Sequence, residues 1–271
     1  MAKVLVVTSG KGGVGKTTST AAIGAALAKS GKNVAVVDFD VGLRNLDLVM
    51  GAERRVVFDL INVVQGEAKL AQALIRDKRI DTLSLLPASQ TRDKDVLTEE
   101  GVQRVIGELR EKFDWIICDS PAGIERGATM AMRHADVAVV VTNPEVSSVR
   151  DSDRIIGLLD SKTEKAENGD RIEKHLLLTR YDPARAERGE MLKVDDVLEI
   201  LSIPLIGIIP ESEEVLRASN MGSPVTLNNP SSAPGRAYFD AARRLKGETV
   251  ELTIPSDKKS LLGKLFGRRA A

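Results

Sequence analysis

A glycine-rich run near the start of the chain constrains the fold more than any other part of the sequence. The run extends from Gly10 to Thr17 and lies between an apolar stretch, Lys3–Thr8, and a helical pattern that begins at Lys16. A loop between a strand and a helix exposes the unpaired N–H groups of the helix N-terminus. Its glycines also let backbone N–H groups turn inward around an anion. The run therefore predicts an α/β domain with a phosphate site at the end of its first strand.

One interpretation of this run is a P-loop, Gly-x-x-x-x-Gly-Lys-Thr. In a P-loop, Lys16 reaches the β- and γ-phosphates and the Thr17 hydroxyl coordinates Mg²⁺. Asp119 ends a later apolar run, Trp115–Cys118, that has the form of a Walker B strand. This interpretation predicts ATP and Mg²⁺ as cofactors. The nucleotide-binding residues that it predicts in and after the loop are Gly10, Lys11, Gly12, Gly13, Val14, Gly15, Lys16, Thr17 and Thr18.

A dinucleotide site is the competing interpretation of the same residues. Gly10, Gly12 and Gly15 also satisfy Gly-x-Gly-x-x-Gly, and Asp38 ends the second strand, where such folds place the carboxylate that binds the ribose. A hydride-transfer enzyme that binds NAD therefore stays an alternative, and so does a glycine-rich turn without a ligand. The lysine–threonine pair at the end of the run favours the P-loop, because the dinucleotide fingerprint does not require it.

Composition narrows the classes of protein that fit. Aromatic residues make up only 3% of the chain, which argues against a base-stacking platform for nucleic acid. Cys118 is the only cysteine, so one chain can form neither a disulfide nor a cysteine metal site, and a reducing, cytoplasmic setting is expected. Because a strand-like run begins at Lys3, no signal peptide is expected, and no apolar stretch approaches the roughly 20 residues that span a bilayer.

Short apolar runs alternate with helical patterns along the chain. Several runs are nearly continuous in Val, Ile and Leu, as in strands that are buried on both faces. The alternation predicts an α/β fold with a doubly wound, mostly parallel sheet and helices on both faces. The predicted strands are Lys3–Thr8, Asn33–Phe39, Thr82–Leu86, Trp115–Cys118, Val137–Val141, His175–Leu178 and Leu205–Ile209. The predicted helices are Lys16–Lys29, Thr98–Phe113, Ile124–Arg133, Ser147–Leu159, Val194–Leu201 and Ala233–Leu245, with surface loops at Ser161–Asp170 and Pro183–Gly189.

The last sixteen residues differ in composition from the rest of the chain. Ser256 to Ala271 holds five basic residues and one acid out of 39 of each in the chain, so the body is net acidic and the tail is net basic. We therefore predict an ATPase domain over residues 1–255 and a separate tail over residues 256–271. A basic tail on an acidic body favours an anionic partner for the tail.

The tail has the pattern of a short amphipathic helix. At about 100° per residue, its four large apolar side chains fall within an arc of about 140°. Gly263 and Gly267 each weaken a helix by up to roughly 1 kcal/mol, so a helix is expected only on a supporting surface. An anionic lipid surface fits best, with a disordered basic tail and a helix packed on the body as alternatives. The predicted membrane contacts are Leu261, Leu262, Leu265, Phe266, Lys258, Lys259 and Lys264.

Lys11 narrows the set of P-loop families that the motif matches. The run Lys11 to Thr17 resembles the deviant Walker A motif of the ATPase family that includes the partition ATPases, the nitrogenase iron protein and the Min-system ATPases. The resemblance implies that Lys11 crosses to a second subunit and contacts its bound phosphates, which predicts an ATP-bound homodimer. A second ammonium there would add charge stabilisation where the γ-phosphate lies. A solvated loop lysine is the alternative.

Longer stretches resemble one group within this family, the Min-system ATPases. The similarity to that group extends over nearly the whole chain. Residues Val37–Asp47 resemble their switch I, and Pro87–Asp95, Cys118–Glu125 and Thr142–Asp153 resemble their other signature stretches. The nitrogenase iron protein is disfavoured, because its bridging cluster needs two cysteines per subunit and this chain has Cys118 alone.

The resemblance implies roles for the carboxylates. Asp40 of switch I would orient the attacking water, so the predicted catalytic residues are Lys11, Lys16 and Asp40. Asp119 of switch II and Asp38 would support the Mg²⁺ shell through water, together with Thr17. The segments that follow two late strands open at the carboxyl edge of the sheet, where nucleotides bind in this architecture. Arg180 and Pro210 in these segments are the residues predicted to contact adenine. A carboxylate near the water and no identified arginine finger predict slow, partner-activated hydrolysis.

The resemblance implies an ATP-dependent membrane ATPase of division-site placement. The resemblance implies two partners, the FtsZ inhibitor MinC and the hydrolysis activator MinE, with Asn45 and Asp151–Asp153 as possible contacts. We expect the protein in the cytoplasm when it is free or ADP-bound, and at the inner face of the cell membrane when it is ATP-bound. A partition ATPase is an alternative, but it needs a basic face for nucleic acid and the body is acidic. A flagellar-placement ATPase is another alternative, although its usual activator motif is not evident before Lys3.

Overall fold

The computed structural model describes residues 2–90, 92 and 96–255, and the predicted tail helix therefore lies outside the described residues. One sheet runs through the described part, in the strand order β3-β4-β2-β5-β1-β6-β7-β8. All neighbouring strands are parallel except β3 and β4, which are antiparallel. The strands are β1 (Lys3–Thr8), β2 (Val34–Asp38), β3 (Ile75–Arg76), β4 (Leu83–Leu86), β5 (Trp115–Asp119), β6 (Val137–Thr142), β7 (Glu173–Tyr181) and β8 (Leu205–Pro210).

Helices connect the strands and cover both faces of the sheet. In the described residues they are α1 (Lys16–Lys29), α2 (Leu46–Val49), α3 (Leu60–Val64), α4 (Leu70–Ala73), α5 (Glu99–Arg110), α6 (Arg126–Met132), α7 (Val146–Lys162), α8 (Glu164–Glu167), α9 (Pro183–Glu187), α10 (Val194–Leu201), α11 (Glu213–Asn220), α12 (Val225–Asn228) and α13 (Ala233–Leu245). A 3₁₀ turn spans Glu53–Arg55. None of the helices in these described ranges combines the length and apolar character that crossing a bilayer requires.

The hydrophobic core has two halves, one on each face of the sheet. Successive strand side chains point to opposite faces, so Val4 and Val6 pack with α3, α5, α6, α7 and α10, whereas Leu5 and Val7 pack with α1, α2, α11, α12 and α13. All four valine and leucine side chains are fully buried. Burial on both faces explains why the strands show continuous apolar runs, and it confirms the predicted doubly wound sheet.

The predicted long elements are confirmed, whereas several short ones were missed. All seven predicted strands and all six predicted helices occur within a few residues of their expected bounds. The strand β3 has two residues, and α2, α3, α4 and α12 have four or five, which is too short for a periodic pattern to develop. The two residues of β3 are too few to show the alternation of apolar and polar side chains that identifies a strand.

Both predicted surface loops were wrong, for a reason visible at their helix caps. Within Ser161–Asp170, α7 continues to Lys162 and α8 follows, capped by the Thr163 side chain, which accepts a hydrogen bond from the Ala166 N–H. Within Pro183–Gly189, α9 begins at Pro183, and the Asp182 side chain caps it. A capping side chain followed by Pro at the first helical position is a helix start signal. The loop was predicted from the polar composition of the segment, which does not take this signal into account.

Helix α1 packs unusually close to the sheet because of Gly24. A Cβ atom on Gly24 would lie 2.7 Å from Cγ1 of Val36 in β2. Two buried side-chain hydrogen bonds hold the other side of the helix, from Thr226 to the Ala22 carbonyl and between Ser19 and Tyr238. The first turn of α1 therefore has a fixed position relative to the end of β1.

We expect Gly24→Ala to destabilise the protein although alanine favours helices. The helix propensity gain is about 1 kcal/mol, but an extra methyl in a packed core costs about 1–3 kcal/mol. The free energy of unfolding measured in urea should therefore fall by up to about 2 kcal/mol. The matched control is Gly157→Ala in α7, where a Cβ would meet no atom within 4 Å, and a gain of about 0.5–1 kcal/mol is expected. Equal effects of the two variants would show that α1 can shift away from the sheet.

Candidate nucleotide site

A cavity of about 780 Å³ opens at the carboxyl edge of the sheet. The carboxyl ends of β1, β2, β5 and β7 lead into it, as expected of a ligand site in an open parallel sheet. Its lining includes most of the predicted P-loop residues together with segments that the sequence analysis did not single out. The lining residues from the predicted sites are Gly12, Gly13, Gly15, Lys16, Thr17, Thr18, Asp40 and Arg180.

The loop between β1 and α1 has the backbone of an anion cradle. Gly15 is the N-cap of α1 with a φ of 95°, and Gly13 has a φ of 77°, both in the left-handed region that favours glycine. As a glycine, Gly15 has no side chain that could cap the helix, so the first N–H groups of α1 stay available for phosphate oxygens. Gly10 has a steric role, because a Cβ there would lie 2.3 Å from the Asp151 carbonyl carbon.

Lys16 lies inside the cavity wall and is 8% exposed. Its Nζ donates a hydrogen bond to Ser9 Oγ at 3.0 Å. Burial lowers the pKa of Lys16, and the carboxylates of Asp119 and Asp40 oppose that effect. A phosphate group would give this buried ammonium a stronger partner than the Ser9 hydroxyl.

Asp119 provides an unused oxygen atom at the end of β5. Its Oδ1 accepts a hydrogen bond from Thr20 at 2.9 Å, whereas its buried Oδ2 has no hydrogen-bond partner among the described residues. Burial raises the pKa of Asp119 to about 6, an effect that the nearby hydroxyl groups of Thr17 and Thr20 partly offset. An orphaned carboxylate oxygen beside the Thr17 hydroxyl fits a hard cation such as Mg²⁺, which prefers oxygen ligands and retains water in its shell.

Asp38 is fully buried next to Asp119, since the two residues are partners in the register of β2 and β5. Burial raises the pKa of Asp38 well above its usual value, and the neighbouring Asp119 charge adds to the effect. Both Asp38 oxygens accept backbone hydrogen bonds, from Asp40 at 2.9 Å and from Leu46 at 3.2 Å. Asp38 therefore fixes the loop that carries Asp40, a role that its position in the sequence did not reveal.

Asp40 lines the cavity and is half-buried, on the same side as the Lys16 ammonium. Burial raises the pKa of Asp40, and the Lys16 charge lowers it. The structure thus brings together Lys16, Thr17, Asp38, Asp40 and Asp119. These are the residues that the sequence assigned to the phosphates, the metal shell and the attacking water.

Lys11 is near the cavity but does not line it. Its Nζ donates to Glu145 Oε2 at 3.0 Å and to Ser147 Oγ at 3.1 Å, at the start of α7. Both side chains of the ion pair are substantially exposed, Lys11 by 40% and Glu145 by 55%. An exposed pair contributes at most about 1 kcal/mol, so Lys11 can exchange Glu145 for another anion at little cost.

The two residues predicted for adenine lie in different places. Arg180 lines the cavity and has a φ of 53°, a conformation that non-glycine residues rarely adopt. Pro210 instead lines a second cavity, of about 850 Å³, between β8, α13 and residues 252–255. Thr179 had not been predicted: its hydroxyl donates to the Val14 carbonyl at 2.7 Å, which ties β7 to the P-loop and places Arg180.

Other walls of the cavity come from segments without a recognisable motif. Leu48 and Val49 of α2 form one wall, and Ser219 and Asn220 of α11 form another. Pro121, Ala122 and Glu125 contribute from the loop after β5. The resemblance had marked that last loop as a signature stretch. Helix α11 was missed, although Ser212 caps it and Glu213 and Glu214 occupy its first turn, which are helix start signals in the sequence.

The fold and the cavity define a P-loop nucleotide-binding protein with a doubly wound α/β domain. Residues 5–225 match the CobQ/CobB/MinD/ParA nucleotide binding domain. The chain is 61% identical to the septum site-determining protein MinD of Neisseria meningitidis serogroup B, in an alignment of 271 positions that covers 98% of this chain and 100% of that protein.

Two solved structures have the same fold. The MinC:MinD cell division protein complex of Aquifex aeolicus is matched with a TM-score of 0.84 and 43% identity over 94% of this chain and 100% of that one. The Pyrococcus horikoshii MinD complexed with Mg-ADP is matched with a TM-score of 0.80 and 30% identity, over 90% of this chain and 96% of that one. The chain belongs to the MinD family of division-site-placement ATPases. The resemblance inferred from the residues is thereby confirmed.

The raised pKa of Asp119 predicts a pH dependence of stability in the metal-free protein. Between about pH 4 and pH 6 the folded state retains a proton that the unfolded chain releases, so stability falls as the pH rises through this window. Asp119→Asn removes this titration, so in EDTA its unfolding free energy relative to wild type should increase from pH 4.5 to pH 7.

Urea denaturation at four pH values tests this expectation. Asp81→Asn, at an exposed position outside the cavity, is the matched control and should track wild type. A difference between Asp119→Asn and wild type that stays constant across the range would contradict the raised pKa.

Proposed function

We propose that the chain is an ATP-dependent switch that dimerises when it binds ATP and Mg²⁺, binds the membrane as a dimer, and returns to the cytoplasm after hydrolysis. The observation that carries the proposal is the pair of lysines in one loop. Lys16 is buried in the cavity wall, whereas Lys11 lies exposed outside it on an exchangeable partner. One lysine thus serves the nucleotide of its own chain and the other is accessible to a second subunit.

Binding of ATP follows from the parts assembled at the sheet edge. The N–H groups before α1 and the Lys16 ammonium would hold the phosphates, and Thr17, Asp38 and Asp119 would hold the metal shell. Bound Mg²⁺ would neutralise charge on the phosphate oxygens. The Pyrococcus horikoshii relative, which is complexed with Mg-ADP, supports this assignment. Asp40 would orient the attacking water, and Arg180 would contact the base.

Slow hydrolysis fits the same geometry. Asp40 is the one group predicted to orient the water. Burial raises its pKa and the Lys16 charge opposes that effect only in part, and a single carboxylate without an arginine finger is expected to support only slow turnover. Charge stabilisation of the transition state would come from Lys16 and from the Lys11 of a second subunit. An activating partner would then set the rate, and MinE is the partner that the resemblance implies.

Membrane binding and partner recruitment complete the proposal. Two basic amphipathic tails on one dimer would bind an anionic surface with an avidity that a single tail lacks, by roughly a factor of 10² to 10⁴. The Aquifex aeolicus complex supports MinC as a partner. The dimer would thus carry the inhibitor of FtsZ assembly to the membrane and position the septum by keeping that inhibitor there until ATP is hydrolysed.

The role of Lys11 predicts a separation of binding from dimerisation. Lys11→Ala should bind ATP within a few-fold of wild type, because Lys11 does not line the cavity, yet it should remain a monomer in light scattering with a non-hydrolysable ATP analogue. Lys16→Ala should lose ATP affinity at least 10-fold and consequently remain a monomer as well. Lys32→Ala, an exposed lysine that precedes β2 at the opposite edge of the sheet, is the control and should dimerise. A dimer mass for Lys11→Ala would refute the contact across subunits.

Sedimentation with anionic vesicles tests the complete function. The full chain should sediment with the ATP analogue and much less with ADP, whereas a chain that lacks Ser256 to Ala271 should dimerise but stay in the supernatant. Leu265→Glu is the matched point variant and should behave like the truncated chain, because a charge on the apolar arc opposes insertion. The truncated chain sedimenting like the full chain would rule out the tail as the anchor. Displacement of the full chain by DNA would favour a partition ATPase.

A further inference from the structure

The side chain of Arg79, in the turn between β3 and β4, joins three separate segments. Its Nη1 donates to the Gly222 carbonyl at 3.0 Å, and its Nη2 donates to the Met50 carbonyl at 2.9 Å. Its Nε and Nη2 also form a two-pronged contact with the Asp77 carboxylate, at 3.0 and 2.6 Å. The planar guanidinium is suited to such a set of acceptors, because its N–H donors have fixed directions.

The two carbonyl groups lie at the ends of two helices. Met50 is the C-cap of α2, and Gly222 follows Met221, the C-cap of α11. Carbonyl groups at a helix C-terminus lack partners within the helix and carry partial negative charge. A single cation therefore satisfies both helix ends at once and holds them at a defined separation.

The helix ends touch each other directly. Gly51 and Gly222 have φ values of 64° and 61°, and a Cβ on Gly51 would lie 2.6 Å from the Gly222 carbonyl oxygen. No side chain other than hydrogen fits between the two backbones at this distance. Arg79 thus binds both helix ends at the point where the backbones of α2 and α11 are already in direct contact.

Both helices are walls of the nucleotide cavity. Leu48 and Val49 of α2 face the cavity, as do Ser219 and Asn220 of α11. Helix α2 also follows directly on the loop that Asp38 holds through the Leu46 N–H. The separation of the two helices therefore sets the width of the cavity on the side of the switch loop.

Asp77 keeps the guanidinium in place. The carboxylate side chain is 4% exposed, against 35% for Arg79. Burial alone would raise the pKa of Asp77, but hydrogen bonds from the side chain and backbone of Arg79, together with its charge, lower the pKa overall. The pair therefore stays ionised, and the guanidinium has one orientation.

We propose that Arg79 is a positioning residue, outside the cavity, that sets the width of the nucleotide site by holding the end of α2 against the end of α11. The inference rests on the proposed nucleotide-binding function of the cavity. Loss of Arg79 lets the two walls separate, so nucleotide contacts weaken while the groups at the phosphates stay in place.

A split between KM and kcat tests this role in the full chain with Mg²⁺-ATP. Arg79→Ala should raise the KM for ATP about 10-fold and leave kcat within twofold. Arg79→Lys should raise the KM about threefold, because an ammonium cannot serve both carbonyls and Asp77 in one plane. Arg76→Ala, an exposed arginine on the neighbouring β3, is the matched control and should leave both constants unchanged. Circular dichroism melts establish that each variant is folded.

Three results would overturn the role. An unchanged KM with a lowered melting temperature in Arg79→Ala would make Arg79 a structural brace only. A loss of kcat at unchanged KM would place its effect on the chemical step instead. If Arg79→Ala does not fold, Arg79→Lys decides, and a KM equal to wild type in that variant would refute the role. Failure of the proposed function is distinct, because wild type itself would then neither bind nor hydrolyse ATP.

Discussion

The pair of buried carboxylates, Asp38 and Asp119, is the constraint on which the rest of the site depends. They lie side by side at the ends of β2 and β5, where burial raises the pKa of each. Their charge is balanced by the Lys16 ammonium, by hydroxyl groups of α1 and by the N–H groups of the switch loop. A metal ion bound with phosphate groups would add positive charge beside these two carboxylates.

This dependence links the nucleotide to distant parts of the chain. Asp38 holds the loop that leads to α2, and Arg79 holds α2 to α11. On the other side, Thr179 ties β7 to the loop before α1. Hydrogen bonds therefore connect two walls of the cavity to residues at its phosphate end, namely Asp38 and the loop before α1. The same loop carries the exposed Lys11, whose exchangeable partner Glu145 lies at the start of α7.

Much of this site could be predicted from the sequence because its central parts are local. The strand, the glycine loop and the first turn of α1 are contiguous, so Lys16 and Thr17 need only the local backbone to take their places. Asp119 could be assigned because it ends an apolar run of Walker B form, whereas the role of Asp40 came from the resemblance of its segment to switch I. Arg79, Thr179 and Asn220 could not be found, because their partners are distant in the chain. Pro210 was grouped with Arg180 by its position at a strand end, yet it lines a different cavity.

The sequence by itself determined the class of fold, the phosphate loop and the contrast between an acidic body and a basic tail. These properties depend on residue order and on side-chain chemistry, which the chain carries before it folds. The tertiary structure decided which carboxylates share a charge balance, which helix ends meet, and which lysine is buried. Those outcomes depend on burial and on contacts between residues far apart in the sequence, such as Arg79 with Gly222, and only packing of the two faces of the sheet fixes them.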